Sequence, residues 1–504
     1  MKPWLYLNSL CPLVLALSGI TSSAPIPPGA STATHLRDSP ANCSASHLPK
    51  HLDQVLPCYL LEPDPTYQWQ PGESTTVSRS VSGKPFTVRI HPIHLQSLRW
   101  KVAEQDNVNH PVWQHRLTIY QPERVDSVTA LLYINGGTLY PPTPGAPVKK
   151  GSPDELDLAG MAASSKSVVI ELMDIPNQFL RFGEGPPLKE DAIIAYTWKR
   201  FLQNPEKNYN WPLRLPMVKS TMRAMDTAQA FMRKQNIKLK DFVLTGTSKR
   251  GWTVWLTAAM DNRVSAIMPM VIDVLNLQVS MKHHYSSYRH WAPAVHNYLG
   301  LMPRLGSDEL EKLMTVVDPF NYRHLLEQPK YIITASGDDF FLPDSSQFYF
   351  DDLRGDKWQR VLPDLRHYIV QMDRQLVTDT LLSFYGAFIE QRPMPEVRWV
   401  LQKGNVLKVQ SSLPPKIARL HSAHNPQARD FRRSEDNPGV ADFSSVPVTF
   451  KCSNGCRTKV ELKEPREGWN AHFVELGFAN APYKDLIFTT RVVITPDVYP
   501  EEGK

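Results

Sequence analysis

The sequence has little charge imbalance, no block of basic residues and no apparent internal repeat. Its 504 residues carry a formal net charge of +6, spread along the chain. Proteins that bind nucleic acids concentrate Lys and Arg on one face or segment, so we expect no nucleic-acid partner. An apolar fraction of 42% is ordinary for a globular protein, and the length suits one large domain with additions or two to three domains.

Beyond its N-terminus the chain lacks an apolar run of the roughly 20 residues that cross a bilayer. The N-terminal run from Cys11 to Ile20 follows Lys2, is interrupted by Pro12 and precedes the small residues 22–24. This arrangement predicts a signal peptide over residues 1–24 and an exported protein, periplasmic or secreted, without a stable membrane span. An uncleaved membrane anchor is the alternative.

Cysteine is scarce, and removal of the signal peptide leaves four residues. An even number suits an oxidising compartment. Of three possible pairings, two local disulfides, Cys43 with Cys58 and Cys452 with Cys456, are the most economical. Cys452 and Cys456 could in principle bind metal, but no second Cys/His pair at finger-like spacing follows. We therefore expect disulfides, with no metal and no cofactor.

The apolar pattern divides the mature chain into parts. Residues 25–42 are rich in Pro, Ser and Thr and predict a disordered lead-in. In residues 43–392, apolar strands alternate with helices, which predicts an α/β fold with a mostly parallel sheet covered on both faces. The segment 274–328 is too long for an ordinary crossover and predicts a lid. Residues 393–504 alternate with the period of strands and predict an antiparallel, sandwich-like β domain.

The centre of the sequence is a serine between a strand and a helix. Residues 242–247 are an apolar run ending in small residues, Ser248 follows, and a bulky apolar stretch continues to Trp255. This is the context of a nucleophile elbow, where Gly246 allows the helix to pass close to the strand. The usual G-x-S-x-G pattern is altered, because Arg250 replaces its second glycine and Gly251 comes one residue later. A helix-capping serine is the alternative interpretation.

Candidate partners of Ser248 follow two later strands. Asp338 and Asp339 come directly after the apolar run 331–335, and His367 follows the short strand 358–362. Nucleophile, acid and histidine in that chain order, each at the carboxyl end of a strand, is the order of α/β-hydrolases. Either carboxylate could orient the histidine; the position nearest the strand end and its glycine favours Asp338.

Two further features bear on the predicted site. The Lys249 N–H begins the elbow helix, and Gly136 with Gly137 follows the buried strand 130–134, so these positions are candidate oxyanion donors; a plain turn is the alternative for the glycines. The predicted lid carries His283, His284, His290 and His296 among aromatic residues. Their spacing is irregular and lacks partnering carboxylates, which favours a hydrogen-bonded lid surface over a metal site.

Several motifs together resemble one known family. They are Glu190–Trp198, Leu215–Met217, Gly246–Trp252, Asp261–Val264, Gly337–Ser346, Thr489–Thr490 and Pro496–Pro500. The set resembles the PhoPQ-activated pathogenicity-related protein family, PqaA type. The resemblance implies an exported α/β-hydrolase-like protein associated with virulence and with resistance to cationic antimicrobial peptides. Arg250 fits the S-K-R-G-W form of the family.

These features predict a serine hydrolase that acts on a small-molecule ester or amide, or on a peptide. Ser248 would attack the carbonyl, His367 would carry the proton, and Asp338 or Asp339 would orient the imidazole. A hydrolase scaffold can also serve without turnover. The alternative is therefore a binding or signalling protein.

Overall fold

The computed structural model describes residues 35–37, 40, 42–143, 146–147, 155–433 and 442–501. The predicted signal peptide and most of the predicted lead-in lie outside these residues. Within the lead-in, Leu36 pairs with Asp261, and Arg37 Nε donates a hydrogen bond of 2.8 Å to Ala258 O. Residues 35–37 are therefore bound to the folded domain, where the composition predicts disorder.

Strands and helices alternate through the middle of the chain, as the apolar pattern predicts. The strands of the described residues are β1 (Gln68–Pro71), β2 (Thr75–Val81), β3 (Lys84–Arg99), β4 (Val112–Pro122), β5 (Thr129–Ile134), β6 (Val169–Leu172), β7 (Asp241–Thr247), β8 (Val264–Met270), β9 (Lys330–Ala335), β10 (Lys357–Leu362), β11 (Val397–Gln402), β12 (Val406–Ser411), β13 (Ile417–Asn425), β14 (Ser444–Pro447), β15 (Lys451–Ser453), β16 (Gly455–Glu461), β17 (Trp469–Phe478), β18 (Leu486–Thr489) and β19 (Val493–Thr495). The α-helices are α1 (Val55–Leu61), α2 (Leu158–Ser165), α3 (Asp191–Gln203), α4 (Arg214–Lys234), α5 (Lys249–Met260), α6 (Leu277–Tyr288), α7 (Asp308–Val317), α8 (Ile369–Met372) and α9 (Arg374–Ile389).

A long mixed sheet organises the molecule. Its order is β1-β3-β4-β6-β5-β7-β8-β9-β10-β18-β17-β13-β14, with β2 paired to β3 and β19 paired to β17. The run from β6 to β10 is parallel. These parallel strands are almost wholly buried, because helices cover both faces of a parallel sheet and leave no wet side. The predicted α/β-hydrolase-like class is confirmed.

The C-terminal strands are antiparallel, as predicted, but most of them continue the central sheet. β18 pairs with β10, and β17, β13 and β14 follow it. Arg360 Nη1 on β10 also binds Glu475 Oε2 on β17 at 2.7 Å. An unpaired β10 would expose a row of backbone groups at the sheet edge, and these strands cover it. β11, β12, β16 and β15 form a separate four-stranded sheet.

The predicted lid is helical and lies between β8 and β9. It contains α6, the 3₁₀ segments Pro293–Arg304 and Pro319–Leu325, and α7. A group of four side chains, the lid clasp, ties α6 to distant parts of the chain; three of them are buried and the fourth, Tyr499, is exposed. In it, His283 on α6 bonds to Asp344 at 3.0 Å and to Tyr499 at 2.9 Å, and Arg429 binds Asp344 at 2.8 Å.

The structure contains the disulfides Cys43–Cys58 and Cys452–Cys456, the pairing that the sequence favours. The first joins the start of the folded chain to α1, and the second closes the turn between β15 and β16. Among the described residues, no helix combines the length and the apolar character needed to span a bilayer.

Candidate active site

Ser248 lies at the sharp turn between β7 and α5, with φ 54° and ψ −123°. A positive φ is strained for a residue with a side chain, and a backbone hydrogen bond of 2.8 Å from Ser248 N to Met270 O helps to hold the turn. Ser248 occupies the N-cap position of α5, yet its side chain makes no capping hydrogen bond. Helix capping therefore does not account for this serine.

Two glycines let α5 pack closely against the sheet. A Cβ atom at Gly246 would lie 3.0 Å from Arg250 Cβ and 3.0 Å from Ile134 O. A Cβ atom at Gly251 would lie 2.9 Å from Gly246 O, against the backbone of β7. Gly251 therefore makes the close helix-to-strand contact that the second glycine makes in the usual motif. Because Gly246 has no Cβ atom, the side chain of Arg250 fits beside it.

His367 and Asp338 form a buried pair. His367 Nδ1 lies 3.1 and 3.0 Å from the two carboxylate oxygens of Asp338. Asp338 Oδ1 also accepts backbone N–H bonds from Phe340 at 2.7 Å and Phe341 at 3.2 Å, which fix the carboxylate. Asp339 instead accepts the backbone N–H of His367 at 3.3 Å. Of the two candidate acids, the structure brings Asp338 to the imidazole ring.

Ser248 and His367 share one open cavity of about 710 Å³, here called the outer cavity. Both residues are among those described, and no hydrogen bond joins their side chains. The other residues that line the outer cavity include Lys189, Glu190, Asp191, Lys249, Arg250, His290, His296, Asp339, Phe340, Arg366, Tyr368, Asp430 and Arg432. The carboxyl ends of β7, β9 and β10 thus place the predicted nucleophile and histidine at one polar surface.

A second cavity of about 70 Å³, here called the apolar cavity, extends from Ser248 beneath the lid. Its apolar lining is Trp198, Trp252, Ile272, Val274, Leu277, Met281, Val295, Leu301, Met302, Leu305, Leu310, Phe340 and Phe341. Because a single water needs about 10–15 Å³ on this measure, the apolar cavity has room for a group of a few carbon atoms.

The predicted oxyanion donors have different surroundings in the structure. Lys249 is the first residue of α5, where backbone N–H groups lack helical partners and attract negative charge. Gly136 N instead donates to Asn135 Oδ1 at 2.7 Å, and Gly137 lies against the Arg116–Asp174 ion pair. Neither glycine is among the residues that line the two cavities. The two glycines therefore belong to the turn that packs beside Asp174 after β5. The backbone N–H of Lys249 remains the candidate oxyanion donor.

An ion cluster surrounds the two residues after Ser248. Glu190 binds Lys249 Nζ at 2.8 Å and Arg250 Nη2 at 2.6 Å, and Asp191 binds Lys249 Nζ at 3.1 Å. Burial raises the pKa of the Glu190 carboxyl, but Arg250 and Lys249 outweigh it and hold this pKa well below its usual range. The sequence indicates these acids only as the start of the motif Glu190–Trp198; the Lys249-Arg250 pair next to Ser248 is the signal from which the cluster could have been predicted.

The lid histidines make separate hydrogen bonds. Besides His283 in the lid clasp, His284 Nε2 accepts the Ala292 N–H at 3.1 Å, and His290 Nε2 lies 3.1 Å from Arg432 Nη2. His296 Nδ1 lies 3.2 Å from Pro293 O. In the part of the chain that the structure describes, no three His, Cys, Asp or Glu side chains are grouped as metal ligands.

Comparison with known proteins gives one family match. Residues 56–432 match the family described as PhoPQ-activated pathogenicity-related protein. The chain is 30% identical over 469 residues to autocrine proliferation repressor protein A of Dictyostelium discoideum, covering 88% of this chain and 90% of that protein.

Solved structures of hydrolases are also similar to the chain. An acetyl xylan esterase from Paenibacillus sp. R4 aligns with 12% identity and a TM-score of 0.41, over 72% of this chain and 99% of that chain. An acylaminoacyl peptidase of Pyrococcus horikoshii aligns with 10% identity and a TM-score of 0.37, over 65% of this chain and 52% of that chain.

Proposed function

The chain belongs to the PhoPQ-activated pathogenicity-related protein family, and on that premise we propose that it is an exported serine hydrolase that cleaves an ester or amide bond. The carrying observation is the buried His367–Asp338 pair at the outer cavity that His367 shares with Ser248. The strained turn at Ser248, whose side chain does not cap α5, supports the nucleophile role.

In the proposed reaction, Ser248 Oγ attacks the carbonyl carbon while His367 Nε2 takes the hydroxyl proton. Asp338, bonded to Nδ1, fixes the tautomer and stabilises the imidazolium. The leaving alcohol or amine departs with the proton from His367, and water then releases the acyl group by the reverse proton path. The Lys249 N–H would stabilise the oxyanion; one such donor is worth about 3 kcal/mol in other enzymes.

The two cavities support a substrate class for the proposed hydrolase. The outer cavity is open and polar, so it suits the larger part of a small-molecule ester, an amide or a peptide, and the apolar cavity suits a short acyl group. The predicted signal peptide and the two disulfides support export. The family resemblance supports a role in virulence and resistance to cationic antimicrobial peptides.

A second candidate is a non-catalytic binding or signalling protein on the same scaffold. The observation in its favour is the name of the relative that aligns over most of both chains, an autocrine proliferation repressor. Fold alone does not decide between turnover and signalling.

Labelling with a fluorophosphonate probe tests the enzyme proposal. We expect the mature protein to be labelled, and Ser248→Ala and His367→Ala to lose labelling, because the first lacks the nucleophile and the second lacks its base. Ser286→Ala is the matched control: this partly buried lid serine lines neither cavity, and its variant should label like wild type. Absence of labelling in a folded wild-type protein would contradict the enzyme proposal and favour the binding or signalling role.

A further inference from the structure

Arg214 is a buried cation in the wall of the apolar cavity. The residue is 2% exposed, and its guanidinium carbon lies 4.4 Å from the centre of the Trp252 ring. Nη1 donates to Lys249 O at 2.9 Å and contacts Met217 Sδ at 3.9 Å. Nε has no hydrogen-bond partner among the described residues.

No carboxylate of the described residues pairs with Arg214. The nearby Asp191 lines the same cavity, but its carboxylate is bonded to Lys249 Nζ at 3.1 Å and to Tyr298 OH at 2.8 Å. Buried charges in proteins are ordinarily paired. Consistent with incomplete pairing, burial lowers the pKa of Arg214 to about 10.

The position of Arg214 in its helix is also unfavourable for the isolated protein. Arg214 is the first residue of α4, and the N-terminus of a helix carries a partial positive charge that repels a cation. A buried, unpaired arginine at this place is therefore not explained by stability. An anion bound beside it would compensate both the burial and the helix dipole.

The apolar cavity connects this cation to the candidate nucleophile. Ser248 and Arg214 line the same cavity, and apart from Ser248, Asp191, Lys249 and Tyr298 the remaining lining is apolar. A group that enters from Ser248 thus meets a mostly apolar passage whose wall holds the Arg214 guanidinium and the mutually paired charges of Asp191 and Lys249. The volume of about 70 Å³ restricts that group to a few carbon atoms.

We propose that Arg214 binds a carboxylate at the far end of a short acyl group, so that the preferred substrates are half-esters of small dicarboxylic acids. The proposal rests on the proposed hydrolase function. Ser248 Oγ would form the bond to the ester carbonyl carbon, the bond to the alcohol oxygen would break, and the alcohol would leave with the proton from His367. The second carboxylate would remain ionised against Arg214 throughout, and water would release the free dicarboxylic acid.

Two ethyl esters with four-carbon acyl groups, monoethyl succinate and ethyl butanoate, test the specificity. Because a site built for a polar group discriminates strongly against the analogue that lacks it, we expect wild type to favour monoethyl succinate by at least about tenfold in kcat/KM. Arg214→Met should abolish the preference, because kcat/KM for monoethyl succinate should fall at least about tenfold more than kcat/KM for ethyl butanoate. Arg214→Lys, which keeps the charge, should retain part of the preference.

If Arg214 only supported the Lys249 carbonyl, both esters would slow equally in Arg214→Met, and the inference would be overturned while the hydrolase function stood. Equal turnover of both esters by wild type would overturn it in the same way. A calorimetric titration with succinate judges the site without turnover. Ser248→Ala should bind succinate, and adding Arg214→Met should weaken that binding at least about tenfold; unchanged binding would overturn the inference even if wild type hydrolysed neither ester.

Discussion

Asp338 and Asp339 are neighbouring carboxylates with different partners, which allows a matched test. Asp338→Asn should lower kcat/KM by about 10⁴, because the amide no longer holds the productive histidine tautomer. Asp339→Asn retains an oxygen for the His367 N–H and loses mainly the 3.2 Å ion pair with Arg366, which is 39% exposed. Such pairs are worth at most about 1 kcal/mol, so that variant should lose less than about tenfold. Ester hydrolysis measures both; the reverse order would make Asp339 the orienting acid.

Asp273 gives a prediction about stability against pH. It is 3% exposed, accepts a 2.5 Å hydrogen bond from Tyr349, and burial raises its pKa to about 8. Between the unfolded pKa of about 4 and the folded value, only the folded state keeps the proton, so this group's stabilising contribution falls as pH rises through that window. Asp273→Asn does not titrate. Relative to wild type, its free energy of unfolding should rise by at least about 1.4 kcal/mol between about pH 5 and about pH 8. Urea unfolding measures this difference, and a constant offset would contradict the raised pKa.

At the residue scale, local pattern located the candidate nucleophile, acid and histidine, because each follows an apolar strand directly. The same reasoning could not find Arg214. Its significance depends on the lack of an ion-paired carboxylate among the described residues, since the nearby Asp191 is bonded to Lys249. That pairing is a property of the packed molecule. The sequence also could not show that the Gly136 N–H, a candidate oxyanion donor, is already bonded, because its acceptor is the side chain of the preceding Asn135.

At the scale of elements, the packing of α5 on the sheet depends on Gly251. Alanine is better than glycine by about 1 kcal/mol inside a helix, but here the added Cβ would meet Gly246 O at 2.9 Å and Met270 O at 3.1 Å. Gly251→Ala should therefore destabilise the protein and slow probe labelling of Ser248. In Gly300→Ala, the control, the nearest atom is the mobile end of Lys199 at 3.3 Å. Thermal unfolding should show little change in that control; equal effects would exclude the crowding argument.

The lid clasp gives a second test on elements. Arg429→Met removes the arginine from the Asp344 carboxylate, which is 3% exposed and keeps its bond to His283. Removing one partner of a buried ion pair costs about 3 kcal/mol or more. The lid should then become sensitive to limited proteolysis. Arg398→Met breaks the exposed pair with Glu396 and should cost at most about 1 kcal/mol. A clasp variant as stable and protease-resistant as this control would show that Arg429 does not anchor the lid.

Strands and helices of the middle of the chain could be predicted because each carries its own period of burial. The partners of the C-terminal strands could not. β18 pairs with β10 across more than a hundred intervening residues. The sequence of a strand indicates which of its faces is apolar, but it does not indicate which other strand it pairs with. The same applies to Asp430 and Arg432, which reach the outer cavity from beyond β13.

At the scale of the whole molecule, the continuous sheet predicts one unfolding unit. A chain ending at residue 392 would leave β10 without β18 and would lose the buried Arg360–Glu475 pair. We expect the full mature protein to show one calorimetric transition and the shortened chain to be insoluble, because it carries an open sheet edge. A soluble, folded shortened chain, or two separate transitions, would instead make the C-terminal region an independent domain.

The pairing of β18 with β10 also determines when the sheet can form during synthesis of the chain. Residues 486–489 leave the ribosome more than a hundred residues after β10, yet they pair with β10 in the sheet that carries Ser248 and His367. Until then, a nascent chain exposes the β10 edge to every other strand in its surroundings. Translocation across a membrane as an unfolded polypeptide would delay folding until β10 and β18 have both reached the far side, where the two strands can pair as the sheet forms.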